Sequence, residues 1–233
     1  VLETKYISDL HNNFIEDTIF IENYNTDPND IIITEIMVDP SPSVKLPECE
    51  YIELYNRTNK RISLKNWLLQ ISEKSYILPD TIIEPYEFVI IVPEICYEAF
   101  KNYGKAIKIP CNSSIINNNG CEISVYDKER KLICRINFDA NLYKDQTKKY
   151  GGWSVEIINK DLPCLGKENW MASINPSGGT PGKNNSVENL LTFENYLPEI
   201  YKVQLINDSI LWLFANKVIS KIDTTKERYY VKK

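Results

Sequence analysis

The sequence has little of what most catalytic and metal sites are built from. It contains one histidine, His11, and none of its six cysteines forms a C-x-x-C pair, so a zinc site of the common Cys/His type has no suitable ligand spacing. No motif places a serine or cysteine beside His11 for a Ser/His/Asp triad. The acidic stretches 26–30 and 38–42 lack the regular ligand spacing of a calcium loop. We therefore predict no catalytic residue, no metal and no cofactor.

Two classes of partner also lack support in the sequence. No run of about 18 apolar residues occurs, so we expect no membrane insertion. The net charge is −5, and the 27 lysines and arginines are scattered, whereas nucleic-acid-binding chains usually gather them on one face. We expect no nucleic acid partner.

The pairing of the six cysteines stays open. They are Cys49, Cys96, Cys111, Cys121, Cys134 and Cys164. An even number permits disulfides in an exported protein. A chain of 233 residues does not need disulfides as small secreted domains do, so buried free thiols are the alternative to any given bridge.

What the chain does contain is alternation of apolar and polar residues with a period of two, which is typical of β-strands. The strand-like segments are 30–38, 50–56, 61–72, 86–93, 121–127, 131–138 and 153–159. A short link between 121–127 and 131–138 favours a hairpin. One helix is predicted over 94–104, ending at Gly104 as a C-cap. The pattern indicates an all-β sandwich with one short helix.

The stretch 168–185 is rich in Gly, Pro and Asn but also holds a tryptophan, so we predict a loop pinned against the core. Gly178 or Gly179 should take a positive φ, and Trp170 should be buried. The predicted structural clasp comprises Trp153, Trp170, Gly178, Gly179, Thr180, Pro181 and Gly182. The alternative is that backbone N–H groups of residues 178–180 bind an anion, for which the following sequence supplies only a weak helix.

The segment EYIELYN, residues 50–56, raises the question of an acid/base pair. Alternation places Ile52 and Leu54 toward the core and puts Glu50 and Glu53 on opposite faces of the strand. Nothing in the strand brings two carboxylates together, so we expect solvent-facing glutamates that form surface salt bridges.

Four stretches in this order carry a resemblance to a known family: 31–42, 50–70, 153–159 and 169–186, with EYIELYN and the closing GGTPG as its most specific motifs. They resemble the lamin-tail domain, an immunoglobulin-like β-sandwich, over about residues 28–188. In the absence of a preceding coiled-coil rod, the chain is similar to the bacterial branch. Residues 1–27 and 189–233 resemble the end and the start of flanking immunoglobulin-like repeats.

This resemblance implies a non-enzymatic structural or adhesion module of a multidomain exported bacterial protein, in the periplasm, at the cell surface or outside the cell. A protein or a cell-surface glycan would be its partner, besides the flanking immunoglobulin-like domains. One alternative is an accessory domain of an exported hydrolase whose catalytic domain lies elsewhere. The other is a carbohydrate-binding sandwich with exposed Trp67 or tyrosines as stacking platforms. We also expect a chain trimmed to 28–188 to keep its fold.

Overall fold

The computed structural model describes residues 2–8, 10–11, 14–19, 25–111, 114–190 and 200–215, and is built mainly from strands. The helix α1 spans Tyr97–Phe100 and follows a 3-10 turn at Glu94–Cys96. The strands are β1 (Leu2–Ser8), β2 (Phe14–Ile19), β3 (Ile31–Met37), β4 (Tyr51–Asn56), β5 (Ile62–Ser63), β6 (Leu68–Ile71), β7 (Lys74–Ile77), β8 (Ile82–Ile83), β9 (Phe88–Pro93), β10 (Ala106–Ile109), β11 (Cys121–Tyr126), β12 (Leu132–Phe138), β13 (Val155–Ile157), β14 (Trp170–Ala172), β15 (Ile200–Asn207) and β16 (Ile210–Ala215).

Two sheets form the sandwich. The first has the strand order β10-β9-β4-β3-β13-β14 and the second the order β12-β11-β6-β7, with β9 and β10 as a parallel pair. The main core contains side chains of both sheets, among them Ile52 and Leu54 from β4 and Ile123 and Val125 from β11. The predicted immunoglobulin-like β-sandwich is therefore confirmed, and so is the hairpin of β11 and β12.

The six-stranded sheet is buried on both faces. Its second face carries a smaller core of Met37, Leu46, Tyr51, Ile90, Val92, Cys96 and Phe100. A disulfide joins Cys49, just before β4, to Cys96, just before α1. The other thiols include the buried Cys121 and Cys134, and Cys111 is hydrogen-bonded to Tyr76. Both alternatives for the cysteines, one bridge and buried thiols, are thus realised in one chain.

Two of the predicted elements differ in length from the elements that the structure shows. The predicted strand 61–72 is divided into β5 and β6, because Asn66 takes a φ of 63° that breaks the extended backbone. The predicted helix 94–104 ends at Phe100, and its C-cap is Lys101 rather than Gly104. No helix of the described residues is long and apolar enough to cross a bilayer.

Two hairpins lie at the ends of the chain. Within the described residues, β1 pairs only with β2, and β15 only with β16, so neither hairpin joins a sandwich sheet. The proposed domain boundaries at 27/28 and 188/189 stay a prediction. Parts of both end segments, including 20–24, 191–199 and 216–233, lie outside the described residues.

Candidate functional site

Three glutamates on adjacent strands form a row across the six-stranded sheet. Strand register places Glu53 of β4 opposite Glu35 of β3, and Glu35 opposite Glu156 of β13. All three side chains have an exposed fraction of 0%. We call Glu53, Glu35 and Glu156 the acidic row. Buried carboxylates are rare and need hydrogen-bond donors, so the donors around the row define what it can do.

Glu35, the central member, accepts three hydrogen bonds at one carboxylate oxygen. The hydroxyls of Tyr51 and Ser154 each donate to its Oε1 at 2.6 Å, and the backbone N–H of Thr180 donates to the same oxygen at 2.8 Å. Tyr51 comes from β4 and Ser154 from just before β13. The donors therefore converge on Glu35 from three separate parts of the chain.

The outer members are held in the same way. Glu53 accepts from the Thr34 hydroxyl at 2.7 Å and from the Gly182 N–H at 2.6 Å. Glu156 accepts from the Ser186 hydroxyl at 2.8 Å and from the Val187 N–H at 3.2 Å. Each member thus receives at least one donor from residues 178–187, which we call the closing loop.

No cation neutralises the row among the ion pairs formed by the described residues. Burial, and secondarily the neighbouring Glu156 charge, raises the pKa of Glu35 to about 7. Burial and the charge of Glu35 likewise raise the pKa of Glu53 well above its ordinary value. Like charges that cannot all ionise together are expected to share protons.

The Thr180 hydroxyl bridges two members of the row. Its Oγ1 lies 3.2 Å from Oε2 of Glu35 and 3.0 Å from Oε1 of Glu156. A hydroxyl has one proton and cannot donate to both oxygens. The contacts are satisfied together when one of these two carboxyl groups is protonated and donates to Thr180, while Thr180 donates to the other.

The glycines of the closing loop allow its close approach to the row. Gly178 has a φ of 92°, as predicted, whereas Gly179 is not among the residues with positive φ. A Cβ built on Gly179 would lie 2.6 Å from Glu35 Oε1 and from the Tyr51 hydroxyl. Residues 178–181 are all buried, so Thr180 and Pro181 pack beneath the surface with both glycines, and Gly182 is half-buried.

The two tryptophans of the predicted clasp lie apart from the closing loop in sequence. Trp170 is 4% exposed, which confirms its predicted burial, but it belongs to strand β14 rather than to a loop. Trp153 packs against the main core, with Nζ of Lys148 4.2 Å from the centre of its ring. The clasp as one functional unit remains a prediction.

The alternative prediction for residues 178–180 was that their backbone N–H groups bind an anion. The N–H of Thr180 does donate to a carboxyl group, but that group belongs to Glu35 of the same chain. The loop donor that an external phosphate would need is therefore occupied.

The expectation of solvent-facing glutamates in EYIELYN is wrong. Glu53 is fully buried because the second face of the sheet is also covered. Glu50 is 7% exposed and accepts from the Ser114 hydroxyl at 2.6 Å and from the Ile116 N–H at 3.0 Å. Neither carboxylate takes part in an ion pair with another of the described residues. The sequence did carry one signal of this burial. Glu53 has apolar or aromatic neighbours on both faces of its strand, which is unusual for a sheet with one face in water.

Other candidates from the sequence are placed as follows. Trp67 is 2% exposed and belongs to the main core, so it cannot serve as an exposed stacking platform for sugars. His11 is exposed in the turn between β1 and β2. Within the described residues, no group of three or more His, Cys, Asp and Glu side chains has the arrangement of a metal site.

The acidic row is enclosed by protein in the part of the chain that the structure describes. Its carboxylates are fully buried, and none of them lines the surface cavities of about 420, 700 and 140 Å³. Buried catalytic acids normally face a cleft. The geometry therefore supports a structural role in which the closing loop supplies donors to the row.

We expect Thr180→Val to lower the free energy of unfolding by about 2 kcal/mol, since it removes the hydroxyl that bridges two buried carboxyl groups without changing side-chain volume much. Urea unfolding followed by tryptophan fluorescence measures this change. Thr147→Val is the control, because Thr147 also donates its hydroxyl to a carboxylate but is exposed, and a change within about 0.5 kcal/mol is expected there. Equal losses in both variants would contradict a special role for the buried hydroxyl.

The family model described as Lamin Tail Domain matches residues 24–139. A search of curated proteins finds no match. Strands β13 and β14 and the closing loop follow the matched range, yet they complete its six-stranded sheet and cap its acidic row.

Proposed function

Given that this chain contains a lamin tail domain, we propose that it acts as a non-enzymatic interaction module of a multidomain exported protein, where it contacts other protein domains at or outside the cell surface. The immunoglobulin-like sandwich supports the coarser part of this proposal, because such folds commonly serve as binding and spacing units. The contact surface that we assign to it is the hairpin of β15 and β16.

The observation that carries the proposal is the exposed apolar surface of this hairpin. The exposed fractions of its large apolar side chains run from 40% to 66%, and these side chains are Ile200, Val203, Leu205, Ile206, Ile210, Leu211 and Leu213. An isolated two-stranded hairpin is only marginally stable in water, and large exposed apolar patches usually mark interaction sites. The hairpin touches the sandwich where Nζ of Lys131 lies 4.5 Å from the centre of the Trp212 ring, but its exposed apolar side chains favour a partner that covers them.

The chemistry of the hairpin favours a protein partner. Apolar side chains offer no hydrogen bonds to sugar hydroxyls, and the outer edges of β15 and β16 have no strand neighbour among the described residues. A β-structured domain can supply both an apolar face and a pairing edge. We assign this role to an immunoglobulin-like domain that adjoins the hairpin in the same protein.

The disulfide supports the exported setting. Cys49 and Cys96 form a bridge, whereas thiols in the cytosol are kept reduced. The closed acidic row supports the non-enzymatic part, since the most perturbed carboxyl groups of the domain are inaccessible to a substrate.

We expect the amide hydrogens of residues 200–215 to exchange at least about tenfold more slowly in the longer exported protein than in this chain alone, because a covering domain would protect the hairpin. Hydrogen exchange read by mass spectrometry compares the two proteins peptide by peptide. The hairpin of β11 and β12 is the internal control, since it already lies inside the sandwich and should exchange equally in both. Unchanged exchange over 200–215 would overturn the proposed contact surface.

A further inference from the structure

A small surface pit of about 140 Å³ lies where the ends of several segments of the sandwich meet. Tyr55 at the end of β4, Tyr86 just before β9, and Lys160 and Asp161 after β13 are among its lining residues. The pit is separate from the acidic row and from the terminal hairpin. Its side chains have no part in the function proposed above.

The rim of the pit presents an aromatic ring in a strained conformation. Tyr86 is 58% exposed, and its φ is 59°. A left-handed backbone is uncommon for a bulky residue and is strained. A turn holds it there, with hydrogen bonds from the Glu87 N–H to the Glu84 carbonyl and from the Glu84 N–H to the Glu87 carboxylate. Strain of this kind, kept at an exposed aromatic residue, is typical of binding sites.

The charges of the pit cancel. Lys160 lies 3.0 Å from Glu188, and its Nζ lies 4.7 Å from the centre of the Tyr55 ring. Arg57 lies 3.8 Å from Asp161. Two cations and two carboxylates give no net charge, which disfavours a phosphate or another anion as the ligand.

The same side chains offer both donors and acceptors within a short distance. The Asp161 side chain is 92% exposed, so its carboxylate is free to accept from a ligand. The Nε of Arg57 is buried and has no hydrogen-bond partner. Sugar hydroxyls both donate and accept hydrogen bonds, and the apolar face of a sugar ring stacks on aromatic rings. A neutral sugar matches this combination better than an apolar or a charged ligand.

We propose that this pit binds one neutral pyranose ring, stacked on Tyr86 and hydrogen-bonded by Asp161. The volume of about 140 Å³ equals that of roughly five water molecules, which suits a single ring and not an extended chain. A shallow site of this size should bind with a dissociation constant on the order of 1 mM. The proposal goes beyond the protein-contact function and does not depend on it.

Saturation-transfer NMR with the methyl glycosides of glucose, galactose, mannose and N-acetylglucosamine tests the proposal on the whole chain. We expect transfer to at least one of them, and at least a tenfold loss of affinity in Tyr86→Ala and in Asp161→Ala. Asp161 is so exposed that its replacement should leave the fold intact, which a thermal melt checks. Tyr150→Ala is the matched control, since Tyr150 is 70% exposed but does not line the pit.

No transfer to any of the four glycosides, or equal transfer in the wild type and in both pit variants, would overturn the proposal. Either result leaves the hairpin exchange experiment unaffected, because that experiment reads residues 200–215 only.

Discussion

Replacing Gly178 with alanine is expected to lower the free energy of unfolding by about 4 kcal/mol. The added Cβ would lie 2.0 Å from the carbonyl oxygen of Gly152, and the φ of 92° disfavours any residue with a side chain. The backbone cannot easily shift, since the Gly178 N–H donates to Asn175 and its carbonyl accepts from Ser154. The measurement is urea unfolding followed by tryptophan fluorescence.

Gly166→Ala is the matched control for this substitution. Gly166 also has a positive φ, 74°, but a Cβ there would meet nothing within 4 Å. Only the conformational preference of the backbone is lost, so we expect the free energy of unfolding to fall by about 1 kcal/mol. Similar losses in the two variants would mean that the closing loop moves aside without cost and does not hold a fixed position over the acidic row.

The second large effect is a loss of stability as the pH rises. Burial raises the pKa of Glu35 to about 7 in the folded chain, from an ordinary value of 4.5. Between these values the folded state holds a proton that the unfolded state has released, so the free energy of unfolding falls as the pH rises through this window. The contribution lost is on the order of 3 kcal/mol. Glu53, whose pKa is also raised, acts in the same direction.

Glu35→Gln isolates this effect, because the amide resembles the protonated carboxyl group and does not titrate. The variant should lose less stability than the wild type between pH 4.5 and pH 8, and should be the more stable of the two at pH 8. Glu129→Gln, at an exposed position, should reproduce the wild-type curve. Parallel curves for wild type and Glu35→Gln from urea titrations across this pH range would show that Glu35 releases its proton equally in both states.

Period-two alternation predicted most strands of the sandwich because it is a local property of the chain. β3, β4, β11 and β12 lie within one or two residues of their predicted bounds. β7 and β10 were missed, since each has only four residues, which is too short for a clear alternation pattern. Helix α1 was predicted at the right place but too long; its last residue, Phe100, packs against Tyr51 on the second face of the six-stranded sheet.

The acidic row could not be derived from alternation. That pattern places Glu53 on the face opposite Ile52 and Leu54, and it does not reveal that this face is also covered. The cover includes Leu46 and Phe100, which lie far apart in sequence from each other and from the closing loop. Burial of the closing loop was predictable from its glycines and prolines. The position of three carboxylates side by side beneath the loop follows only from the strand order β4-β3-β13.

The long sequence separation between the acidic row and its donors also governs when the domain can fold during synthesis. Thr180 follows Glu35 by 145 residues, and Gly182 follows Glu53 by 129. While the ribosome is still making the first part of the chain, Glu35 and Glu53 have no loop amides to bind, and burying them then would be unfavourable. Closing the acidic row therefore becomes favourable only after residue 187 has been added, so the row is completed late in the synthesis of this domain.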